Sequence, residues 1–329
     1  MKYHPVELAV ARYLGRKPDI HVIIPLRTAF KGLIDVEGHI YRNMLVGNWW
    51  KMLCGVLANQ DVSMIKTSAG QEAMRTSGDY SRNAAVVRFG DNTTPPSWTD
   101  YKILGSAVGE GDILSPNYFE DTDKFRFEFN RVVNAEGVRE VALYHDVYDY
   151  GGGSETVMYG RRVLDAEPSV GQTVIYRILV HSPWVRQAAA LLYALLTHQH
   201  FAPSEGIKDI DGYTYTQRYN DPNAGNVKLN LGTGSNSWSP GDYALTDAVE
   251  LEQSLIVKVE YGYAYLTTIG VKRLESNITF NELGWYQELY DEGGTKHICL
   301  INRIVLDTPV SKSANELISA ALTIYAYAT

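Results

Sequence analysis

Glu140-Val-Ala-Leu-Tyr144 returns as Glu282-Leu-Gly-Trp-Tyr286, 142 positions later. The same interval carries Tyr148-Asp149-Tyr150-Gly151-Gly152 onto Tyr290-Asp291-Glu292-Gly293-Gly294, and Arg161-Arg-Val-Leu-Asp165 onto Arg303-Ile-Val-Leu-Asp307. Upstream it pairs Gly90 with Gly232, Asp100-Tyr101 with Asp242-Tyr243, and Arg131 with Arg273. Residues 90–165 and 232–307 share 16 identities in 76 ungapped positions, where average composition supplies roughly five. A register that does not slip means that both copies hold their strands and turns in one order. The chain reads as one module written twice.

Its 329 residues divide into two copies, each of about 140 residues and large enough to bury its own core. The expected boundaries are an N-terminal arm over 1–40, a first copy over 41–183 and a second over 184–329. A hydrophobic fraction of 45% with 21% charged residues is that of a globular protein, and no apolar run is long enough to span a membrane. The net charge of −8 argues against direct binding of nucleic acid, which draws its affinity from Lys and Arg on phosphates. Cys54 and Cys299 fall at non-equivalent positions, so no disulfide framework is expected. Met1-Lys-Tyr-His-Pro5 lacks the features of an export signal. Tyrosine is abundant, 23 residues against 8 Phe and 6 Trp; it suits strands, and it suits surfaces that become buried on a partner.

Each copy opens with one amphipathic helix. Met44-Leu45-Val46, Trp49-Trp50, Leu53 and Val56-Leu57 recur at helical spacing up to Asn59, and the second helix runs from Pro183-Trp184 to Leu196. The rest is strand and turn. Ala84–Phe89 and Asn226–Leu231 run into Gly90 and Gly232. Phe125, Phe127 and Phe129 alternate with charged neighbours, as on the buried face of a strand, where the second copy has Thr267, Ile269 and Val271. Glu140–Tyr148 and Val157–Leu164 form a hairpin over Asp149-Tyr-Gly-Gly-Gly153, with Asp291-Glu-Gly-Gly294 in the second copy. Gln172–Val180 and Leu317–Tyr327 close the copies. Short strands, frequent turns and no βαβ alternation predict a mainly β protein: two tandem antiparallel β-sandwich, jelly-roll-like domains.

The candidate chemistry is sparse. Glu140 with Arg161, and Glu282 with Arg303, are predicted as cross-strand ion pairs, one in each copy. A carboxylate acting as general acid or base needs a reacting partner, and none recurs with these. A structural role fits recurrence in both copies better, and no catalytic residue is assigned. Asp165 and Asp307 read as turn formers ahead of Pro168 and Pro309, and Asp100 and Asp242 as turn residues preceding the first buried ring of a strand. Glu120, Asp121, Asp123, Asp209 and Asp211 lack the spacing of a calcium loop, and His198 and His200 lack further zinc ligands nearby. Neither metal nor cofactor is expected. Trp98, Trp238, Tyr101 and Tyr243, in turn-rich segments, are the candidate interface or recognition aromatics.

Three elements in order carry a resemblance: Gly232 with a polar loop to Asp242-Tyr243-Ala-Leu245, the strand Glu282-Leu-Gly284-Trp-Tyr286, and Arg303–Asp307 followed by Pro309. With the helix before them they resemble a β-sandwich module of virion proteins of phages and archaeal viruses, among capsid-associated, turret, spike and tail-fibre components. The first copy departs from it at Ala142 and at Asp91-Asn92. The resemblance implies a viral structural protein, located in the virion and not an enzyme, that assembles with itself or with other virion proteins. A receptor- or glycan-binding spike module shares the fold and is the alternative. A polysaccharide hydrolase would require two facing carboxylates, and the sequence names no such pair.

Overall fold

The computed structural model describes residues 19–26, 30–58, 62–70, 72–75, 83–109, 116–148, 153–201, 206–218, 227–260, 263–273 and 277–327. It is mainly β, with 50% strand and 10% helix. Strands β1 (Ile20–Leu26), β2 (Phe30–Val36) and β3 (His39–Leu45) lead into helix α1 (Gly47–Ala58). Then come β4 (Val62–Lys66), β5 (Glu72–Arg75), β6 (Val86–Gly90), β7 (Asn117–Glu120), β8 (Lys124–Val132), β9 (Glu140–Tyr148), β10 (Ser154–Val163) and β11 (Thr173–His181). Helix α2 (Arg186–Thr197) precedes β12 (Ile207–Lys208), β13 (Thr214–Tyr215), β14 (Lys228–Gly232), β15 (Val249–Glu250) and β16 (Glu252–Glu260). The chain ends in β17 (Tyr263–Arg273), β18 (Ile278–Tyr290), β19 (Lys296–Lys312) and β20 (Leu317–Tyr327).

An eight-stranded sheet has the order β6-β9-β10-β3-β2-β11-β8-β7, and two four-stranded sheets run β15-β14-β18-β19 and β1-β20-β17-β16. Pairing is antiparallel except for β1 on β20. One sheet curls into a half-barrel. The alternation on β8 has the predicted effect, with Phe125, Phe127 and Phe129 all buried. The side chains of Thr267, Ile269 and Val271 lie outside the described ones.

The expected arm is sheet instead. Residues 1–18 lie outside the described residues, but β1 runs parallel to the chain's last strand, and β2 lies between β3 and β11. The reason is burial at period two: Phe30, Ile34, Tyr41 and Leu45 all turn into the core, which only a paired strand allows without orphaning its backbone. Helix α1 starts at Gly47, after Met44, Leu45 and Val46. Likewise α2 starts at Arg186, so Pro183 and Trp184 precede it; Trp184 forms a bridge with Asn302. Asp307 does not end its strand, because β19 continues through Pro309 at a break in register opposite Asn281.

The interval of 142 persists in three dimensions. Gly90 faces Glu140 as Gly232 faces Glu282, and Val86 faces Tyr144 as Lys228 faces Tyr286. Arg161 faces Ala142 as Arg303 faces Gly284, and the same bulge follows, at Tyr159 and at Ile301. The helices obey an interval of 139 instead: both have 12 residues, starting at 47 and 186. Their starts are held alike. The Gly47 N–H donates to Trp98 and the Arg186 N–H to Pro240, both at 2.9 Å.

Their ends are exchanged. Ala85, just before β6, donates to the carbonyl of Leu196 at the end of α2, at 2.6 Å. Val227, just before β14, donates to that of Leu57 at the end of α1, at 3.1 Å. Each half therefore satisfies the terminal carbonyl of the other half's helix. The apolar interior is continuous across them: Trp184 packs on Phe30 at 5.2 Å and on Trp285 at 5.9 Å, within one cluster that includes Trp49, Leu53 and Leu191.

Candidate functional site

The repeated charged residues converge in two equivalent knots. Arg161 lies on β10 two register positions from Glu140, and both side chains are fully buried. Its Nε donates to Glu140 Oε2 at 2.5 Å, its Nη1 to Asp100 Oδ2 at 2.9 Å, and its Nη2 to the Thr94 carbonyl at 2.8 Å. Arg303 repeats this with Glu282 Oε2 at 2.6 Å, Asp242 Oδ2 at 2.9 Å and the Asn236 carbonyl at 3.0 Å. Burial opposes the charge on Arg303, but its hydrogen bonds to Asp242 and Glu282 outweigh that and raise its pKa above the ordinary guanidinium value.

Each glutamate then binds the loop that crosses over it. Glu140 Oε1 accepts the Gly105 N–H at 2.9 Å, and Glu282 Oε1 accepts those of Thr246 at 2.6 Å and Gly234 at 3.2 Å. Each aspartate closes a turn by accepting a backbone N–H, from Ser97 at 2.8 Å and from Ser239 at 2.9 Å. Each tyrosine pins the loop as well: the hydroxyls of Tyr144 and Tyr286 accept the N–H of Ile103 and Leu245, both at 2.6 Å. Burial pushes both phenols up to about 12, so they stay neutral.

The repeated glycines complete the arrangement. A Cβ at Gly90 would lie 2.5 Å from Glu140 Oε1, and one at Gly232 would lie 2.6 Å from Glu282 Oε1. Glycine makes room for the buried carboxylate. The sequence named the Glu–Arg pairs but not the aspartate and tyrosine as their partners, although both stand in repeated columns.

The candidate aromatics separate. Trp98 is only 6% exposed, and its indole lies beside Gly47. Trp238 is half-buried against Val185, Leu245, Tyr286 and Leu300. Tyr101 and Tyr243 do not begin strands; they pack beside Gly70 and Gly212, which are again 142 apart and both in the left-handed region, at φ 86° and 81°. Tyr243 is 38% exposed, with Lys208 Nζ 5.3 Å from its ring centroid.

The remaining acids have local roles. Glu120 binds Arg186 through both oxygens, at 2.6 and 2.8 Å, while Asp121 and Asp123 face Lys124. Asp209 and Asp291 approach His297 Nδ1 and Nε2 at 2.9 and 3.3 Å, and Tyr213 and Tyr215 stack on that ring. Among the described residues no group of three or more His, Cys, Asp or Glu is placed to hold a metal ion, and no helix is long and apolar enough to cross a membrane. His198 caps α2 in the left-handed conformation. Cys299 is buried beside the Tyr215 hydroxyl, and burial pushes its thiol up to about 12, which makes it a poor nucleophile. Compared with protein-family models, with curated proteins and with solved structures, the chain matches none.

Proposed function

We propose that the chain is a structural subunit of a virion, a capsid, turret or tail component built as two tandem β-sandwich modules, each opened by its helix. It assembles with copies of itself or with other virion proteins. The observation that carries this reading is how the repeated acids are engaged. In both knots the arginine and the backbone N–H groups of one loop take up the carboxylates, so the shared residues maintain shape and the chain is read as no enzyme. The edges of two sheets support assembly: among the described residues β7 and β16 each have a neighbour on one side only, and an edge strand can accept a strand from another molecule.

A receptor- or glycan-binding module is the second reading, favoured by the exposed ring of Tyr243 beside Lys208. Light scattering and electron microscopy of the purified chain test the first. Rings, tubes or shells that grow with concentration are expected, and a monodisperse monomer at every concentration would overturn it.

A further inference from the structure

The helix starts of the two halves differ in the residues beside them. In the second half Arg186, Gln187, Gly206, Lys208 and Gly241 line a cavity of about 210 Å³, and Gly241 also borders an adjoining hollow walled by Tyr243. In the first half Gly47 stands where Arg186 does, and Trp98 where Pro240 does, since those residues hold the helix starts. There the indole Nε1 of Trp98 would lie 3.0 Å from a Cβ at Gly47. The second half has Pro240-Gly241 where the first has Trp98-Thr99.

The lining is polar and held in place. Arg186 is fixed by both oxygens of Glu120, so those two charges balance. Gln187 is 2% exposed and donates to the Lys208 carbonyl at 2.8 Å, while its Oε1 has no partner among the described residues. Asp209, next to Lys208, closes its own turn with the N–H groups of Asp211 and Tyr213 and is held by His297. No carboxylate among the described residues forms an ion pair with Lys208, whose ammonium lies over the Tyr243 ring. Lys208 is thus a cation of the cavity lining with no carboxylate partner among the described residues, and Tyr243 stands in the adjoining hollow.

The geometry points to a binding site for a single acidic sugar ring, a uronate, in the second half. The carboxylate meets Lys208, the hydroxyls meet the Arg186 and Gln187 side chains, and the apolar face of the pyranose rests on Tyr243. An apolar ligand finds too few apolar walls. Phosphate lacks the usual cradle of helix N–H groups, because those of Arg186, Ala188 and Ala189 already donate to Pro240 and Val185.

The inference gives the second functional reading a place and a ligand class, and is independent of assembly. Calorimetric titration of the full chain with glucuronate, glucose, acetate and inorganic phosphate tests it. Saturable binding of glucuronate is expected, with glucose and acetate each weaker by roughly tenfold or more. Lys208→Met and Tyr243→Ala should each weaken glucuronate by a similar factor while leaving the melting curve in place. Should a variant misfold, saturation-transfer NMR on the unmodified protein reads the contact between sugar and aromatic ring directly. No saturable binding of glucuronate, equal binding of acetate or phosphate, or folded variants that bind as before would overturn the site. An assembling chain that binds no glucuronate loses this inference alone, and a monomer that binds it loses the assembly reading alone.

Discussion

The N–H of Ala85 donates to the carbonyl of Leu196, and the equivalent N–H of Val227 donates to the carbonyl of Leu57, the equivalent of Leu196. A contact in which i meets j while j meets i is the signature of a two-fold interface. Here it lies inside one chain. Each helix end belongs to one half by sequence and meets the other half's sheet. The core cluster spanning Trp49, Trp184 and Trp285 follows from that exchange.

Cooperative unfolding should result. Calorimetry is expected to show one main transition, because neither half keeps its helix end satisfied without the other. Leu196→Ala, at a buried site, should lower that transition as a whole by about 2–5 kcal/mol. Two separate transitions, with only the second moved, would contradict the exchange.

Breaking a knot should be costly without touching any reaction. Arg303→Ala leaves Glu282, fully buried, and Asp242 without their counter-charge. The expected loss is about 3–5 kcal/mol in chemical denaturation. Arg303→Lys should recover little, since one ammonium cannot reproduce the fork that reaches two carboxylates and two carbonyls. A denaturation midpoint unchanged in Arg303→Ala would remove the structural role.

Gly90→Ala should destabilise by about 1–3 kcal/mol, because its Cβ meets a carboxylate that cannot retreat. The double variant with Glu140→Ala should lose less than the two single losses added together, since the truncated side chain no longer clashes. Strict additivity in the double-mutant cycle would count against the proposed contact.

Acid should act on the second hairpin. Burial works to raise the Asp291 carboxyl, yet the N–H of Thr295 and the imidazole of His297 outweigh it and hold its pKa below the ordinary 3.8. A depressed carboxylate contributes stability above its unfolded value and loses it as the pH falls through the folded one. The window therefore lies below about pH 4. Asp291→Asn should flatten the dependence of stability on pH there, as followed by urea melts, and an unaltered slope would show that the carboxylate does not contribute.

Cys299 should resist alkylation in the folded protein and react once denatured, as peptide mapping after iodoacetamide treatment would show. Rapid labelling under native conditions would contradict its burial.

Much of this was legible from spacing alone. The interval of 142 located the paired strands of both hairpins, Gly90 and Gly232 beside them and the Glu–Arg pairs, because strand register and a buried ion pair restrict residue identity position by position; the first hairpin's tip, 149–152, lies outside the described residues. The alternating phenylalanines of β8 exposed its buried face in the same way. What the residues could not show was which element lies against which. Residues 30–40, without a counterpart at the repeat interval, read as the end of an arm over 1–40, and Met44-Leu45 as helix, yet β2 and β3 fill the middle of the largest sheet. Trp98 and Trp238 looked alike in their loops, but the helix starts pair Trp98 with Pro240. Local pattern determines which residues want burial and at what period; only tertiary packing decides the partner that buries them. A backbone N–H such as that of Ala85 is equally served by any carbonyl that the folded chain brings within reach.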